Sequence, residues 1–250
     1  MLADRIRRMG APHWLALYGL VLACWVLLAL MAVPPDLREV ARVFGGAFWE
    51  AFCTTTPDAA GFARLWVMWA LMSGAMMAPT ALPAFATYDD LGHSTETNLP
   101  GLVGGYLAVW LGFAAVAAGL QMALFAAGWV SAFGDSRSGL LSGGLLVLAG
   151  AYQFSALREA CLAKCRMPVT FFMAHWNDGA WRNGVRLGAV CLGCCWALML
   201  LGFVGGVMSL AFMGLATLVM TLEKLRAGVW ITRPLGIALI VAGLGVALWT

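Results

Sequence analysis

Five of the seven cysteines in this 250-residue chain fall between positions 161 and 195, as Cys161-x-x-x-Cys165 and Cys191-x-x-Cys194-Cys195. Cys161 and Cys165 stand one helical turn apart, as do Cys191 and Cys195, so each pair can place two sulfurs about 5–6 Å apart at Cβ. Two thiolates at that separation can share one soft metal ion. Adjacent cysteines such as Cys194 and Cys195 point about 100° apart on a helix, so the spacing alone does not send both to one site. Methionine supplies a second sulfur set. Met68, Met72 and Met76 repeat at every fourth position, with Met77 beside them. Free cysteine and methionine are also ordinary packing residues of apolar cores, and that reading stands beside the ligand one.

The elements that must position these sulfurs are set by composition. The chain is 62% hydrophobic and 11% charged, with a mean hydropathy of +0.87. A soluble domain carries about 25% charged residues. The expected class is therefore all-α, a polytopic membrane helix bundle forming one integral membrane domain over 1–250. Segments of about 20 apolar residues stand near 13–33, 63–86, 101–128, 138–157, 184–202, 204–222 and 235–249, giving about seven transmembrane helices. The first reads as a signal anchor, because its apolar run is longer than a signal-peptide core. Between 36 and 58 charged residues interrupt an apolar set that includes Phe48, Trp49 and Phe52, the pattern of an interfacial amphipathic helix.

Lysine and arginine bias orients the bundle. With seven spans and the N-terminus inside, eleven Lys and Arg fall on the inner side and four on the outer: Arg38, Arg42, Arg64 and Arg137. An eighth span over 36–58 would put the basic 158–186 stretch outside. The 87–100 loop fits less well, since Asp89, Asp90 and Glu96 are its only charges. The cysteine cluster then lies at the inner, reducing end of the bundle, where disulfides are disfavoured and thiolate ligation of a metal is the natural use. By helical rise, Cys194 and the Met76–Met77 pair both lie about 12 Å from that end. Pro79 withholds a ladder donor from the Ala75 carbonyl, so a kink is expected beside the methionines.

Other residues read more plainly. Glu223 and Lys224 look like a solvated helix end, and Arg158 like a side chain reaching toward lipid phosphate. His175 can complete a zinc site with Cys161 and Cys165, although an exposed loop histidine is the simpler reading. No span interior is expected to hold Asp, Glu, His, Lys or Arg, which disfavours a proton-coupled transporter. Facing histidines for haem, P-loops and H-E-x-x-H motifs are missing. Small residues at Ala108/Gly112 and Ala115/Gly119 favour close helix contact. No basic patch with interleaved aromatics points to nucleic acid.

The motifs Ala75-Met76-Met77-Ala78-Pro79, Tyr152-Gln153, Cys161-Leu162-x-x-Cys165-Arg166-x-Pro168, Gly193-Cys194-Cys195-Trp196-Ala197-Leu198-Met199, Gly206-Val207-Met208 and Glu223-Lys224 occur in this order. As a set, over about 60–245, they resemble an uncharacterised bacterial family of predicted metal-binding integral membrane proteins. The resemblance implies a metal ion and a bacterial source; with the apolar spans and the lysine and arginine bias, the expected location is the bacterial inner membrane, multi-pass, with the N-terminus cytoplasmic. Soft sulfur ligands select Cu(I), with zinc second. The expected metal ligands are Cys161, Cys165, Cys191, Cys194, Cys195, Met76 and Met77, with Cys161 and Cys165 serving entry or transfer. The leading expectation is transport, delivery or homeostasis of a soft metal rather than catalysis, together with a metal-delivering or metal-receiving protein. The alternatives are a membrane thiol-disulfide oxidoreductase using Cys194 and Cys195, and a non-catalytic membrane subunit.

Overall fold

The computed structural model describes residues 12–32, 46–91, 97–225 and 230–249. The chain is all-helical, 85% helix, with one isolated bridge, Val130 to Ser136, among the described residues. In chain order the helices are α1 (Pro12–Met31), α2 (Gly46–Cys53), α3 (Ala59–Leu91), α4 (Leu99–Ala126), α5 (Gly139–Tyr152), α6 (Ala156–Arg166), α7 (Pro168–His175), α8 (Ala180–Leu200), α9 (Gly202–Gly205), α10 (Leu210–Leu225) and α11 (Thr232–Trp249). Among the described residues, five stretches are long and apolar enough to cross a membrane: 12–31, 59–91, 99–126, 180–205 and 232–249.

The two other expected spans depart from single straight helices. The 138–157 segment is the 14-residue α5, followed by a 62° bend into α6. Ser155 sits in that bend as the α6 N-cap, accepting from the Arg158 N–H, and so starts a new helix where the old axis ends. The 204–222 segment breaks at Gly206, whose φ is +91°; only α10 follows, 16 residues long. The expected interfacial helix over 36–58 lies partly outside the described residues, and its described part contains the eight-residue α2.

Long α3 is the hub. It packs against α1, α2, α4, α7 and α10 and is mostly buried, whereas α1, α4 and α11 expose most of their length. Asp58 starts it. The Thr56 hydroxyl and the Gly61 N–H both donate to the Asp58 carboxylate, and this hydrogen bonding holds that carboxyl below the usual range. Pro79 and Pro83 lie inside α3, yet the helix runs on to Leu91. The Ala75 carbonyl, left without its ladder donor by Pro79, instead accepts from the Trp25 indole of α1 at 3.0 Å. A proline defect thus becomes an anchor point for a neighbour.

Two helix pairs pack backbone to backbone. In α4–α8, a Cβ at Gly184 would stand 2.1 Å from the Leu102 carbonyl oxygen, and one at Gly105 would stand 2.3 Å from the Trp181 oxygen. In α5–α11, Gly143 and Gly150 meet the carbonyls of Gly243 and Gly236. Glycine is required at such approaches because any side chain forces the axes apart. The expected small-residue contacts are not these: Gly112 and Gly119 face open space.

Loops gather at two ends. At one, Thr55 donates to the Ala132 carbonyl and Ser136 to that of Phe203. At the other, Tyr88 packs on Phe172 and Trp176, and Arg166 donates to the Glu223 carbonyl.

Candidate metal centre

The site begins with three cysteines on α8. Cys191, Cys194 and Cys195 are buried, and their sulfurs lie within 4.8 Å of one another. Cys194 and Cys195, which helical geometry alone would splay, turn their sulfurs to 3.3 Å. The Cys194 thiol also donates to the Cys191 carbonyl at 3.1 Å. A fourth sulfur arrives from another helix: Cys165 of α6 stands 3.9 Å from Cys194.

The spacing suits a soft ion. With metal–sulfur bonds of about 2.3 Å, a three-coordinate centre spreads its sulfurs about 4 Å apart and a linear pair about 4.6 Å. Three buried thiols already inside 4.8 Å need only small rotamer changes to reach either geometry.

The polar surroundings come from three further helices. Lys224 of α10 is buried, and its ammonium donates to the Cys191 sulfur at 3.0 Å and to the Thr80 hydroxyl at 2.6 Å. It supplies the positive charge that a buried thiolate requires. The Tyr106 hydroxyl of α4 donates to the Met77 carbonyl at 2.9 Å and lies 3.1 Å from the Cys191 sulfur. The close α4–α8 contact sets that distance, since Gly188, one turn before Cys191, faces the Tyr106 carbonyl. Thr80 hands its own proton to the Met77 carbonyl, leaving its oxygen to accept from Lys224. One hydrogen-bonded chain therefore joins Met77, Thr80, Lys224, Cys191 and Tyr106.

Behind Lys224 sits an ion pair. Arg158 and Glu223, both almost fully buried, meet at 2.7 Å. The 62° bend before α6 turns Arg158 inward, so it does not reach toward lipid headgroups. Glu223 and Lys224 are likewise buried rather than a solvated helix end, and the protein interior does hold ionisable groups. Ion pairing is what makes such burial tolerable, because removing one partner strands a charge.

The remaining expected ligands fall as follows. Cys161 is half-buried and lies against Gly193, outside the three-thiol group. Met76 and Met77 are buried in the same core as the thiols; Met77 joins the polar chain through its carbonyl. His175 contacts the Phe171 carbonyl through Nδ1 and forms no ligand group with Cys161 and Cys165 among the described residues. Tyr106, Thr80 and Lys224 were not among the expected site residues. The one sequence signal for them was the Glu223-Lys224 pair closing an apolar helix.

A cavity of about 180 Å³ leads to this centre, lined by Thr80, Tyr106, Cys165, Arg166, Cys191 and Lys224 among others. Its rim includes exposed Pro83 and Leu225, and its floor includes buried Cys191 and Tyr106. Cys165 stands on its wall, between solvent and the buried thiols.

Comparison with curated proteins and with solved structures returned no match. Residues 66–246, which contain every element of the centre, match the PpoB2 family, described as copper chaperones, and the chain belongs to that family.

Proposed function

We propose that this is an integral inner-membrane copper-handling protein that takes Cu(I) at Cys165 and holds it at Cys191, Cys194 and Cys195. The observation that carries the reading is the relay of sulfurs: Cys165 on the cavity wall, 3.9 Å from Cys194, with Cys194 3.3 Å from Cys195. Copper is the cargo, passed by ligand exchange from one thiolate to the next. Each exchange trades one metal–sulfur bond for another, and the incoming thiol releases its proton.

Soft thiolate ligands favour Cu(I) over zinc. Met76 and Met77 serve as neutral thioether ligands during transfer, and Cys161 as an outer exchange thiol. The single membrane domain crosses seven times, with the bent 138–166 unit and the broken 202–225 unit each making one pass. The N-terminus and the mouth of the cavity face the cytoplasm, where a copper-donating or copper-accepting protein docks.

Anaerobic Cu(I) titration of the purified protein with X-ray absorption tests this. One equivalent with two or three sulfur neighbours at about 2.3 Å is expected, lost in the Cys191→Ser/Cys194→Ser/Cys195→Ser variant. Sulfur coordination that persists in that variant sinks the assignment.

A second reading rests on the same 3.9 Å approach. Cys165 and Cys194 come from different helices, which suits a thiol-disulfide pair better than the adjacent Cys194 and Cys195. Thiol trapping across a range of redox potentials separates the two: a redox pair titrates as a unit, and a copper site does not.

A further inference from the structure

We propose that a second Cu(I) site, formed by Cys195, Met76 and Met220, lies one helical turn beyond the thiol centre, away from the cavity mouth. The inference rests on the copper reading and names the next position of the cargo.

The hydrogen-bonded chain Thr80–Lys224–Cys191 fixes three helices against one another, and α10 packs on both α3 and α8. Helix α8 runs away from the cavity mouth, whereas α3 and α10 run toward it. One turn further from the mouth, Thr80 gives way to Met76, Lys224 to Met220 and Cys191 to Cys195. Residues four apart share a helix face. The faces that bring Thr80, Lys224 and Cys191 together therefore also carry these three sulfurs, each about 6 Å along its axis. Met76, Met220 and Cys195 are 2%, 1% and 3% exposed and belong to one core cluster. Three helices thus offer two thioethers and one thiol at the same step, and soft sulfur donors of both kinds select Cu(I).

Charge suits this depth. Cu(I) bound by one thiolate and two thioethers is an uncharged complex, so it needs no buried counter-ion. Cys195 belongs to both sites, since its sulfur lies 3.3 Å from that of Cys194. The move balances without electron transfer. Copper keeps its bond to Cys195 while its bonds to Cys191 and Cys194 break and bonds to the Met76 and Met220 sulfurs form. The two released thiolates take up protons from solvent by way of the cavity, which Cys191 lines.

The test uses the full chain produced with selenomethionine, so that selenium marks every thioether. The Cys191→Ala/Cys194→Ala variant keeps Cys195 and is loaded anaerobically with Cu(I). X-ray absorption at the copper edge is expected to show one sulfur and two selenium neighbours. Adding Met76→Leu and Met220→Leu, which keep the apolar bulk, abolishes the selenium signal and lowers Cu(I) affinity at least about tenfold. Met173→Leu, at an exposed position of α7, changes neither. Copper held without selenium neighbours, as methionines that only pack would leave it, overturns the proposal. So does a selenium signal that survives both leucine changes, or a folded Cys191→Ala/Cys194→Ala chain that retains no copper. Where the alanine pair fails to fold, judged by its detergent melt, Cys191→Ser/Cys194→Ser takes its place. Failure of the unaltered protein to bind Cu(I) would instead overturn the copper reading itself, so the two failures are distinguishable.

Discussion

Lys224 carries more of the site's chemistry than its place in the sequence announces. Its ammonium bridges Cys191 and Thr80, and a charge-assisted hydrogen bond of this kind contributes about 1.5–3 kcal/mol. Lys224→Met keeps much of the side chain's bulk and removes the charge. Cu(I) affinity, measured by competition with a chromogenic chelator, is expected to fall about 10- to 100-fold. Arg233→Gln, in the first turn of α11 and away from the centre, leaves it unchanged. Equal affinity in Lys224→Met and the unaltered protein removes Lys224 from the site. The cysteine grouping was legible because Cys191 has partners one turn on at i+3 and i+4, but the turn of Cys194 and Cys195 toward each other was not, since adjacent positions diverge by about 100° on a helix. Lys224 was not, because a charged residue at the end of an apolar run usually meets water, and only the bent α5–α6 unit and the Arg158–Glu223 pair bring it inside.

Between helices, glycine placement decides whether Tyr106 and Cys191 meet. Close packing of α4 was expected, but at other residues. Ala108/Gly112 and Ala115/Gly119 have the right small-residue spacing, yet Gly112 and Gly119 meet nothing within 4 Å. The pattern identifies a helix able to pack closely without saying which neighbour it meets. Gly184 carries the consequence, since its missing Cβ would sit 2.1 Å from the Leu102 carbonyl oxygen, a backbone atom that cannot rotate away. Gly184→Ala is expected to destabilise the protein by about 1–3 kcal/mol, the usual cost of overpacking, seen as a lower midpoint in detergent melts. It also weakens Cu(I) binding as Tyr106 is pushed from Cys191. Gly112→Ala, into open space, serves as the matched control and changes neither. A Gly184→Ala protein that melts and binds copper like the control shows that the α4–α8 approach does not position the site.

For the whole molecule, the question that governs function is which compartment the cavity opens to. Helices stand over each of the seven segments expected from hydropathy, but the α5–α6 bend and the break at Gly206 were invisible to a window of mean hydropathy, since neither lowers apolar content. If both irregular units cross once, the passes alternate consistently. The loops at 54–58, 127–138 and 201–209 then share one side, in keeping with the hydrogen bonds from Thr55 to Ala132 and from Ser136 to Phe203. The cavity mouth at Arg166 and Leu225 takes the other side, with the basic 158–186 stretch, which lysine and arginine bias assigns to the cytoplasm. The predicted topology puts the N-terminus in and the C-terminus out. A phosphatase fused after Thr250 is expected to be active only in the periplasm, and Arg182→Cys is expected to react with a membrane-impermeant maleimide only in inverted vesicles. The opposite labelling would move Cys165 and Cys194 to an oxidising compartment, where a pair 3.9 Å apart closes into a disulfide rather than waiting for copper. Orientation thus decides between the two readings of the same sulfurs: a cytoplasmic mouth keeps them as thiolates for Cu(I), and an outward mouth makes the cross-helix redox pair the better account.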